Sequence, residues 1–416
     1  MITSGEIFES QSGRRIRVEG LIGVGGQGEA YWVTDLNTGQ RGVLKVFFEK
    51  FVSSETIQRL HFLTSLQLNT VCPALLAPND LINKKGRIGH YTLAAPGQPL
   101  EEFLKNPNST FVESLQLAIS LAHAVTMLHQ RQIAHGDLHA DNLLVNKTAS
   151  VPELYVIDFD NFNAPRMPAP PCVGHNLYMA PELRMALVQG KPAIPDIWTD
   201  RYSLGVVMHE IILFKHVAAG ADNDEAEFHK AMCSGWLHDP ASADRPPGNI
   251  GGYPVEVLNA DVARLFRKSL SLDRAERPSA DQWEMALGKA INEVYVCPRP
   301  HCSGPCLIDA SKSICPLCKH PYPFLKIVAV NGQMISLDRG AIPVGRDDLG
   351  GAKKVSARHA VFRRIGPETW LESLGSNGTY RWAGSQWIKL PDNKPVLVQH
   401  NDRLRFADME AQVLWL

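Results

Sequence analysis

Five short polar strings follow one another in the first ~290 residues, and together they constrain the fold more than any other feature of the chain. They are a glycine-rich turn, a lysine on an apolar strand, a polar loop after a long helical segment, an aspartate after a second apolar strand and an Ala-Pro-Glu triplet: residues 23–28, Lys45, residues 135–142, Asp158 and residues 180–182. Glycines allow backbone amides to approach phosphate oxygens, and carboxylates suit hard divalent cations. The set therefore indicates a site for a metal-bound phosphate group.

The order and spacing of these strings resemble the signature set of the eukaryotic-type protein kinases. The resemblance extends over residues 18–291, and it implies a bilobal kinase fold that uses ATP and Mg²⁺. It places the glycine turn over the phosphates, Lys45 against the α and β phosphates, and the adenine against a hinge at residues 93–96. The implied cofactor-binding residues are Gly23, Gly25, Gly28, Lys45, Leu93, Ala95, Asn142 and Asp158.

The polar loop contains the residues to which the resemblance assigns catalysis. Asp137 would accept the proton of the substrate hydroxyl and orient the attacking oxygen. Asn142, five residues later, and Asp158 would bind Mg²⁺. With Lys45, these residues form the predicted catalytic set.

Later strings separate two related classes of enzyme. The loop that begins His135-Gly-Asp also resembles aminoglycoside-type phosphotransferases, which share the catalytic core but phosphorylate small molecules. Glu182, Asp200 and Arg277 resemble structural positions of the protein kinases instead: an ion pair between Glu182 and Arg277, and an aspartate that braces the catalytic loop. A serine/threonine protein kinase is therefore the primary hypothesis. A small-molecule phosphotransferase and a weak or dead pseudokinase that acts as a scaffold are the alternatives.

Several positions depart from the kinase pattern. Gly136 stands where many kinases have an arginine that binds a phosphorylated activation loop, and residues 158–182 contain neither serine nor threonine. Control by pairing of phosphate with arginine is therefore not expected. In addition, His139 replaces a common lysine, and Asp160 replaces a common glycine.

The kinase pattern also requires a helix glutamate that pairs with Lys45. Glu55 is the candidate because it follows the lysine closely along the chain. Glu49 lies closer still, and Gln58 is a neutral substitute, so both stay open as alternatives.

A window rich in cysteine follows the kinase-like region. Cys297 with Cys302, and Cys315 with Cys318, form two short knuckles separated by twelve residues, which resembles a zinc ribbon. Four thiolates close the coordination shell of Zn²⁺ without an open position for catalysis. We therefore expect a structural zinc ion that supplies folding free energy to a segment too small for its own core. The alternative ligands are Cys306, His301 and His320.

Short apolar runs separated by turn pairs predict an all-β module from residue 325 to residue 416. Residues 345–346, 356–359 and 376–379 resemble, in order, the motifs of a forkhead-associated (FHA) domain, a β-sandwich that binds phosphothreonine. The guanidinium of Arg346 offers a planar fork of donors to a phosphate, and His359 is expected to brace its loop. The residues expected to bind the phosphopeptide are Arg346, Ser356, Ser376 and Asn377.

The chain is thus predicted to be a multidomain α+β protein, with a kinase domain at 1–294, a zinc ribbon at 295–322 and an FHA sandwich at 323–416. Its 42 basic and 43 acidic residues nearly cancel, so charge favours neither nucleic acid nor an anionic membrane as a partner. We expect a cytoplasmic protein, because no leader-like region or apolar run of membrane length is apparent.

The combination of kinase, ribbon and FHA module resembles the kinases of bacterial tellurite-resistance-type systems. That resemblance implies a protein substrate, and a phosphothreonine-containing partner or the chain itself as ligand of the FHA module. It also implies a von Willebrand factor A protein and a PP2C-type phosphatase as partners.

Overall fold

A computed structural model describes most of the chain: residues 2–84, 86–170, 174–221, 224–242, 245–246, 251–297, 299, 301–302, 304–308, 314–320, 325–337, 341–365 and 368–415. The chain forms two compact units, the first made of Met1–Val255 with Asp261–Lys289 and the second of Glu256–Ala260 with Ala290–Leu416. The predicted ribbon and the predicted FHA module both fall in the second unit. The predicted limits of the three domains stay predictions.

The first unit begins with an antiparallel sheet in the order β1-β2-β3-β4-β6-β5. Its strands are β1 (Ile7–Glu9), β2 (Arg15–Val24), β3 (Gly28–Asp35), β4 (Arg41–Phe47), β5 (Asp80–Lys84) and β6 (Arg87–Leu93). Phe8, Val18, Val33 and Leu44 alternate with exposed or half-buried residues and form a buried cluster on one face, as is usual for an antiparallel sheet. Lys45 lies on β4, next to the glycine turn that joins β2 to β3.

Helix α1 (Ser54–Leu66), followed by the short α2 (Leu68–Val71), connects β4 to β5. The side chain of Ser53 caps α1 by accepting a hydrogen bond from the Thr56 amide. Leu60 packs α1 against the sheet. The other buried residues of α1 are Leu63 and, unusually for a charged side chain, Arg59.

Helices dominate the rest of the first unit, where the buried helices α4 and α6 pack against each other. A small sheet β7-β8-β9 places the polar loop before β8 and Asp158 after β9. Within the described part of the chain, α4 is the one helix with the length and apolar character to cross a membrane, and 61% of that stretch is buried. The elements are α3 (Leu100–Lys105), α4 (Phe111–His129), α5 (Pro181–Val188), α6 (Ile197–Leu213), α7 (Glu225–Met232), α8 (Ala260–Ser269), α9 (Ala280–Ala290), β7 (Gln98–Pro99), β8 (Leu143–Asn146) and β9 (Glu153–Val156).

The second unit contains the β-pair β10-β11 and two larger antiparallel sheets, in the orders β13-β12-β21-β20-β17-β18 and β14-β15-β16-β19. Ile327, Val344, Phe362 and Leu404 belong to one buried core to which strands of both sheets contribute. The predicted all-β region is confirmed. Its strands are β12 (Leu325–Ala329), β13 (Met334–Ser336), β14 (Ala341–Val344), β15 (Ala360–Ile365), β16 (Glu368–Ser373), β17 (Thr379–Trp382), β18 (Trp387–Lys389), β19 (Pro395–Val398), β20 (Arg403–Phe406) and β21 (Met409–Trp415), after β10 (Val294–Val296) and β11 (Pro305–Leu307).

Candidate active site

Asp200, in the first turn of α6, fixes the backbone of the polar loop. Its Oδ2 accepts a hydrogen bond from the His135 amide at 2.6 Å, and its Oδ1 accepts one from the Gly136 amide at 3.0 Å. His129 Nε2 lies 3.2 Å from the same Oδ2. Hydrogen bonds from amides to a buried carboxylate are among the stronger ones in proteins. The loop is therefore held in one conformation by a single side chain from α6.

Gly136 is required by the path of this loop. Its φ is +76°, and a Cβ at this position would lie 2.1 Å from the carbonyl oxygen of Asn161. An L-residue would therefore be strained by its backbone and would also collide with Asn161. The absence of an arginine here has a steric reason in this chain, in addition to what it implies for regulation.

Asp137 and Asn142 lie side by side in the loop. The Asn142 side-chain amide donates to the carbonyl oxygen of Asp137 at 2.9 Å. The carboxylate of Asp137 accepts two hydrogen bonds from the segment after β9: the His175 amide donates to Oδ1 at 2.7 Å, and Asn161 Nδ2 donates to Oδ2 at 3.1 Å. His139 Nε2 lies 3.6 Å from Oδ1. The carboxylate is therefore fixed in orientation from several sides.

Lys45 and Asp158 meet between the six-stranded sheet of the first unit and the polar loop. Lys45 Nζ lies 2.9 Å from both carboxylate oxygens of Asp158. Asp158 has a φ of +59°, an unfavourable conformation for a residue with a Cβ that is typical of functional sites. Its side chain is 37% exposed, and the Ile157 amide next to it donates to the carbonyl oxygen of Asn142 at 3.0 Å. The structure thus brings Lys45, Asp158 and Asn142 together.

The three motif glycines of the glycine turn, Gly23, Gly25 and Gly28, differ in their surroundings. The Gly25 amide donates to the carbonyl oxygen of Gly28 at 2.8 Å. A Cβ on Gly28 would lie 2.2 Å from the carbonyl oxygen of Val46, whereas one on Gly23 would meet nothing within 4 Å and one on Gly25 nothing closer than 3.8 Å. Gly28 is therefore needed for packing against β4. Gly23 and Gly25 leave the backbone of the turn open, as phosphate binding requires.

Asn161 is a residue of the site that the sequence motifs did not single out. Its Nδ2 donates to Asp137, and its Oδ1 accepts a hydrogen bond from Gln27 Nε2 at 3.1 Å. Gln27 lies in the glycine turn, so a chain of two hydrogen bonds joins that turn to the catalytic loop. In the sequence, the one signal for Asn161 is its position directly after Asp160.

The predicted hinge residues line a cavity of about 460 Å³, which is within the range of ligand pockets. Leu93 and Ala95 line it together with Trp32 and Arg41. The guanidinium of Arg41 stacks on the Trp32 ring, 4.1 Å from its centroid. The adenine-binding role of Leu93 and Ala95 stays a prediction.

Comparisons with known proteins identify the family of the first unit. Residues 16–286, well over half of the chain, match the protein kinase domain family. A protein of Acanthamoeba polyphaga mimivirus that is named as a serine/threonine-protein kinase is 25% identical over 266 residues, which cover 61% of this chain and 86% of the relative. Serine/threonine-protein kinase PknA of Mycobacterium tuberculosis is 31% identical over 228 residues, which cover 50% of this chain and 48% of PknA.

The chain belongs to the protein kinase family. The predicted kinase fold and the enzyme class, a serine/threonine protein kinase, are confirmed at the level of this domain. The crystal structure of a double mutant of the Mycobacterium tuberculosis PknI kinase domain aligns with a TM-score of 0.46 and 18% identity, over 70% of this chain and 99% of that domain. The kinase spans about half the length of PknA.

In this kinase, the second carboxylate beside Lys45 comes from Asp160 and not from helix α1. Asp160 Oδ2 lies 2.5 Å from Lys45 Nζ. Glu55 is exposed, as are Glu49 and Gln58. The expectation that Glu55 pairs with the lysine is therefore wrong. Glu55 lies in the exposed first turn of α1.

Asp160 is deeply buried, whereas Asp158, two residues before it, is partly exposed. The side chain of Asp160 is 4% exposed, and His90 Nε2 lies 3.6 Å from its Oδ1. Burial alone would raise the pKa of Asp160, but the interactions with Lys45 and His90 together outweigh it and hold that pKa well below its usual value. Burial would likewise lower the pKa of Lys45, and the two carboxylates raise it instead. Both partners are therefore charged at neutral pH.

The inward-facing polar residue of α1 is Arg59. Its guanidinium donates to the carbonyl oxygens of Asp160 at 2.9 Å, Phe162 at 2.5 Å and Pro168 at 2.8 Å. It also lies over the ring of Phe162, 4.3 Å from the centroid. Burial lowers the pKa of Arg59 to about 10, so the group keeps its charge. Helix α1 thus holds the segment after β9 through hydrogen bonds to the backbone carbonyl oxygens of that segment.

Glu182 and Arg277 form the ion pair that the family resemblance implies. Two guanidinium nitrogens of Arg277 donate to the two carboxylate oxygens of Glu182, at 2.7 and 2.8 Å. The Arg277 side chain is completely buried, and that of Glu182 is 28% exposed. Arg277 also donates to the carbonyl oxygens of Trp198 at 3.0 Å and Ser271 at 3.2 Å.

Tyr178, the one hydroxyl-bearing residue in residues 158–182, is 7% exposed. Its hydroxyl donates to Glu210 Oε2 at 2.8 Å. Burial raises the pKa of Glu210 to about 7 and also raises the pKa of Tyr178. In this conformation the tyrosine is a packing residue that a kinase could not reach.

The four predicted ligands of the zinc ribbon converge. The sulfur atoms of Cys297, Cys302, Cys315 and Cys318 lie within 4.8 Å of one another, with separations of 3.8 Å for Cys297 to Cys318 and 3.7 Å for Cys302 to Cys315. A tetrahedron with Zn–S bonds of about 2.3 Å has S···S distances of about 3.8 Å, so the residues fit the ion. Among the described residues, the alternative ligands Cys306, His301 and His320 are not part of this cluster.

Three loops of the second unit bring the predicted phosphopeptide residues together. The Arg346 amide donates to the carbonyl oxygen of Ser356 at 3.0 Å. His359 is fully buried: its Nδ1 accepts from the Ser356 amide at 3.1 Å, and its Nε2 donates to the carbonyl oxygen of Gly378 at 2.9 Å. Asn377 Nδ2 donates to the carbonyl oxygen of Lys354 at 2.7 Å. The side chains of Arg346, Ser376 and Asn377 are exposed at this end, and Ser356 is half-buried.

Proposed function

We propose that the chain is an ATP- and Mg²⁺-dependent protein kinase that phosphorylates serine or threonine, in partner proteins or in itself. The observation that carries the proposal is the convergence of Lys45, Asp158 and Asn142 beside Asp137, on a loop that Asp200 braces. Each of these groups matches one requirement of phosphoryl transfer, which needs positioning and charge stabilisation more than covalent chemistry.

The chain's own residues divide the work as follows. Asp137, oriented by the His175 amide and Asn161, would accept the proton of the incoming hydroxyl and hold its oxygen in line. The open carboxylate of Asp158 and the side-chain oxygen of Asn142 would hold Mg²⁺, which neutralises phosphate charge when bound. Lys45, on β4 next to the glycine turn, would contact the phosphates.

The test is the initial rate of phosphate transfer from radiolabelled ATP to general serine/threonine substrates. The variant Asp137→Asn keeps the size of the side chain and removes the base, and we expect a loss of about 10²- to 10⁴-fold. Asp141→Asn is the matched control, because Asp141 lies on the same loop and its side chain is 68% exposed. Retained activity in Asp137→Asn would refute the assignment. Transfer only to small molecules would favour a phosphotransferase, and ATP binding without transfer would favour a pseudokinase scaffold.

The proposal extends to the second unit, which would bind phosphothreonine as an FHA domain. The exposed Arg346, whose Nε donates to the carbonyl oxygen of Val355 at 3.0 Å, and Asn377, which donates to Lys354 of the same loop, support this because a phosphate needs charged and polar donors that converge from several loops. Binding of phosphothreonine peptides, measured by fluorescence anisotropy, should weaken about tenfold or more in Arg346→Ala. Arg363→Ala is the control, since Arg363 is an exposed residue of β15.

A structural zinc ion in the four-cysteine cluster, a cytoplasmic location and partners of the tellurite-resistance type complete the proposal. The cluster geometry supports the zinc ion. The partners, a von Willebrand factor A protein and a PP2C-type phosphatase, rest on the resemblance in domain architecture alone. Co-purification of the tagged chain with each candidate, in parent and Arg346→Ala forms, would test them.

A further inference from the structure

Three ionisable side chains from three separate elements meet on one face of the six-stranded sheet of the first unit. Lys45 on β4 and His90 on β6 are direct neighbours in the antiparallel register, and Asp160 approaches them from the segment after β9. The distances are 2.5 Å from Asp160 Oδ2 to Lys45 Nζ and 3.6 Å from Asp160 Oδ1 to His90 Nε2. The side chains of Asp160 and His90 are 4% and 8% exposed.

The two carboxylates next to Lys45 differ in their surroundings. Asp158 is 37% exposed and Asp160 is 4% exposed. A buried carboxylate is tolerated only when a cation compensates for the lost hydration, and Lys45 is the cation closest to it. Asp158 can therefore turn to a metal ion, whereas Asp160 has to stay with the lysine.

Helix α1 contributes a positive charge, that of Arg59, to this region. Its inward-facing Arg59 donates to three backbone carbonyl oxygens of the segment after β9, including that of Asp160. Compared with the kinase pattern, which has a glutamate on the helix and a glycine at position 160, this chain has a cation on the helix and a carboxylate on the segment. The carboxylate beside Lys45 that the pattern takes from the helix is supplied here by Asp160 of the segment.

We propose that Asp160 is the positioning residue for Lys45, in place of a helix glutamate, and that α1 secures the backbone of Asp160 through Arg59. This inference rests on the proposed kinase function, because it assigns Lys45 to the nucleotide phosphates. It implies that the lysine is directed from the segment that also carries Asp158. A movement of α1 away from Lys45 then does not remove a charge partner from the lysine.

The experiment compares the full-length parent with Asp160→Asn and Asp160→Gly. Asparagine removes the charge at nearly constant size, and glycine, the residue of the kinase pattern, leaves no buried polar group at position 160 if asparagine prevents folding. Isothermal titration with Mg-ATP should show a dissociation constant about tenfold higher in both variants, since one charge-assisted contact to the lysine is lost. The ratio kcat/KM for ATP should fall about 100-fold through misplacement of Lys45.

Glu55→Gln and Glu49→Gln are the matched controls, and both should stay within twofold of the parent in dissociation constant and in kcat/KM. A purely structural role of Asp160 would lower the melting temperature and leave the dissociation constant of the folded variants unchanged, which would overturn the proposal. Loss of affinity in Glu55→Gln would overturn it as well. A parent that binds Mg-ATP but transfers no phosphate would refute the kinase proposal and leave the comparison of dissociation constants intact.

Discussion

The ion pair between Glu182 and Arg277 allows a quantitative prediction for the variant Glu182→Gln. The change leaves a completely buried guanidinium without its counter-charge, a loss that typically costs 3–5 kcal/mol. Arg277 keeps its hydrogen bonds to the carbonyl oxygens of Trp198 and Ser271, so we expect the lower end, about 3 kcal/mol. Since 1 kcal/mol shifts the melting temperature of a domain of this size by roughly 2–4 °C, Tm should fall by about 6–12 °C.

Differential scanning calorimetry of the parent and Glu182→Gln measures this shift. The control is Arg264→Ala, which removes an ion pair to Asp261 of similar length, 2.8 Å, whose side chains are 62% and 45% exposed. Exposed pairs contribute about 0–1 kcal/mol, so the control should lose less than about 4 °C. A fall of less than 2 °C in Glu182→Gln, or equal falls in both variants, would refute the reasoning from burial.

Three further predictions concern single sites. Burial raises the pKa of Glu210 from 4.5 to about 7, so the folded state binds this proton more tightly than the unfolded state. The free energy of unfolding should therefore fall, by at most about 3 kcal/mol, as pH rises through that window. In urea titrations at several pH values, Glu210→Gln should abolish this fall. Gly136→Ala should cost about 1–3 kcal/mol by thermal unfolding, whereas Gly20→Ala, where an added Cβ meets nothing within 4 Å, should not. Elemental analysis should find one zinc ion per chain, retained in Cys306→Ser and lost in Cys318→Ser; retention in both would contradict the ligand assignment.

The kinase fold was predictable because its signature residues occur in short strings whose order and spacing can be read directly along the chain. Asp137 and Asn142 are five residues apart on one loop, so their proximity follows from the sequence. The all-β region was predictable for a similar reason, because the alternation of apolar and polar residues and the turn pairs are local signals. The zinc cluster is intermediate: spacing identified the two knuckles, but only the structure separates the four clustered cysteines from Cys306.

The partner of Lys45 could not be predicted, because it depends on how α1 and the segment after β9 pack against the sheet. Glu55 and Arg59 are four residues apart and lie on the same side of α1, but Glu55 is in the exposed first turn, whereas Arg59 is one turn further on and buried beside Leu60. Asp160 was visible as a departure from the kinase pattern, but its contact with Lys45 joins residues 115 positions apart in sequence. Tertiary packing of this kind leaves no local signal.

The measurement that tests the central claim most directly is phosphosite mass spectrometry of the purified full-length chain after incubation with Mg-ATP and a serine/threonine substrate mixture, beside Asp137→Asn. We predict phosphoserine or phosphothreonine, on the substrates or on the chain, in the parent sample and none above background in the variant. Equal phosphorylation in both samples, or none in a parent that binds Mg-ATP, would contradict the account of Asp137 as the base of a protein kinase.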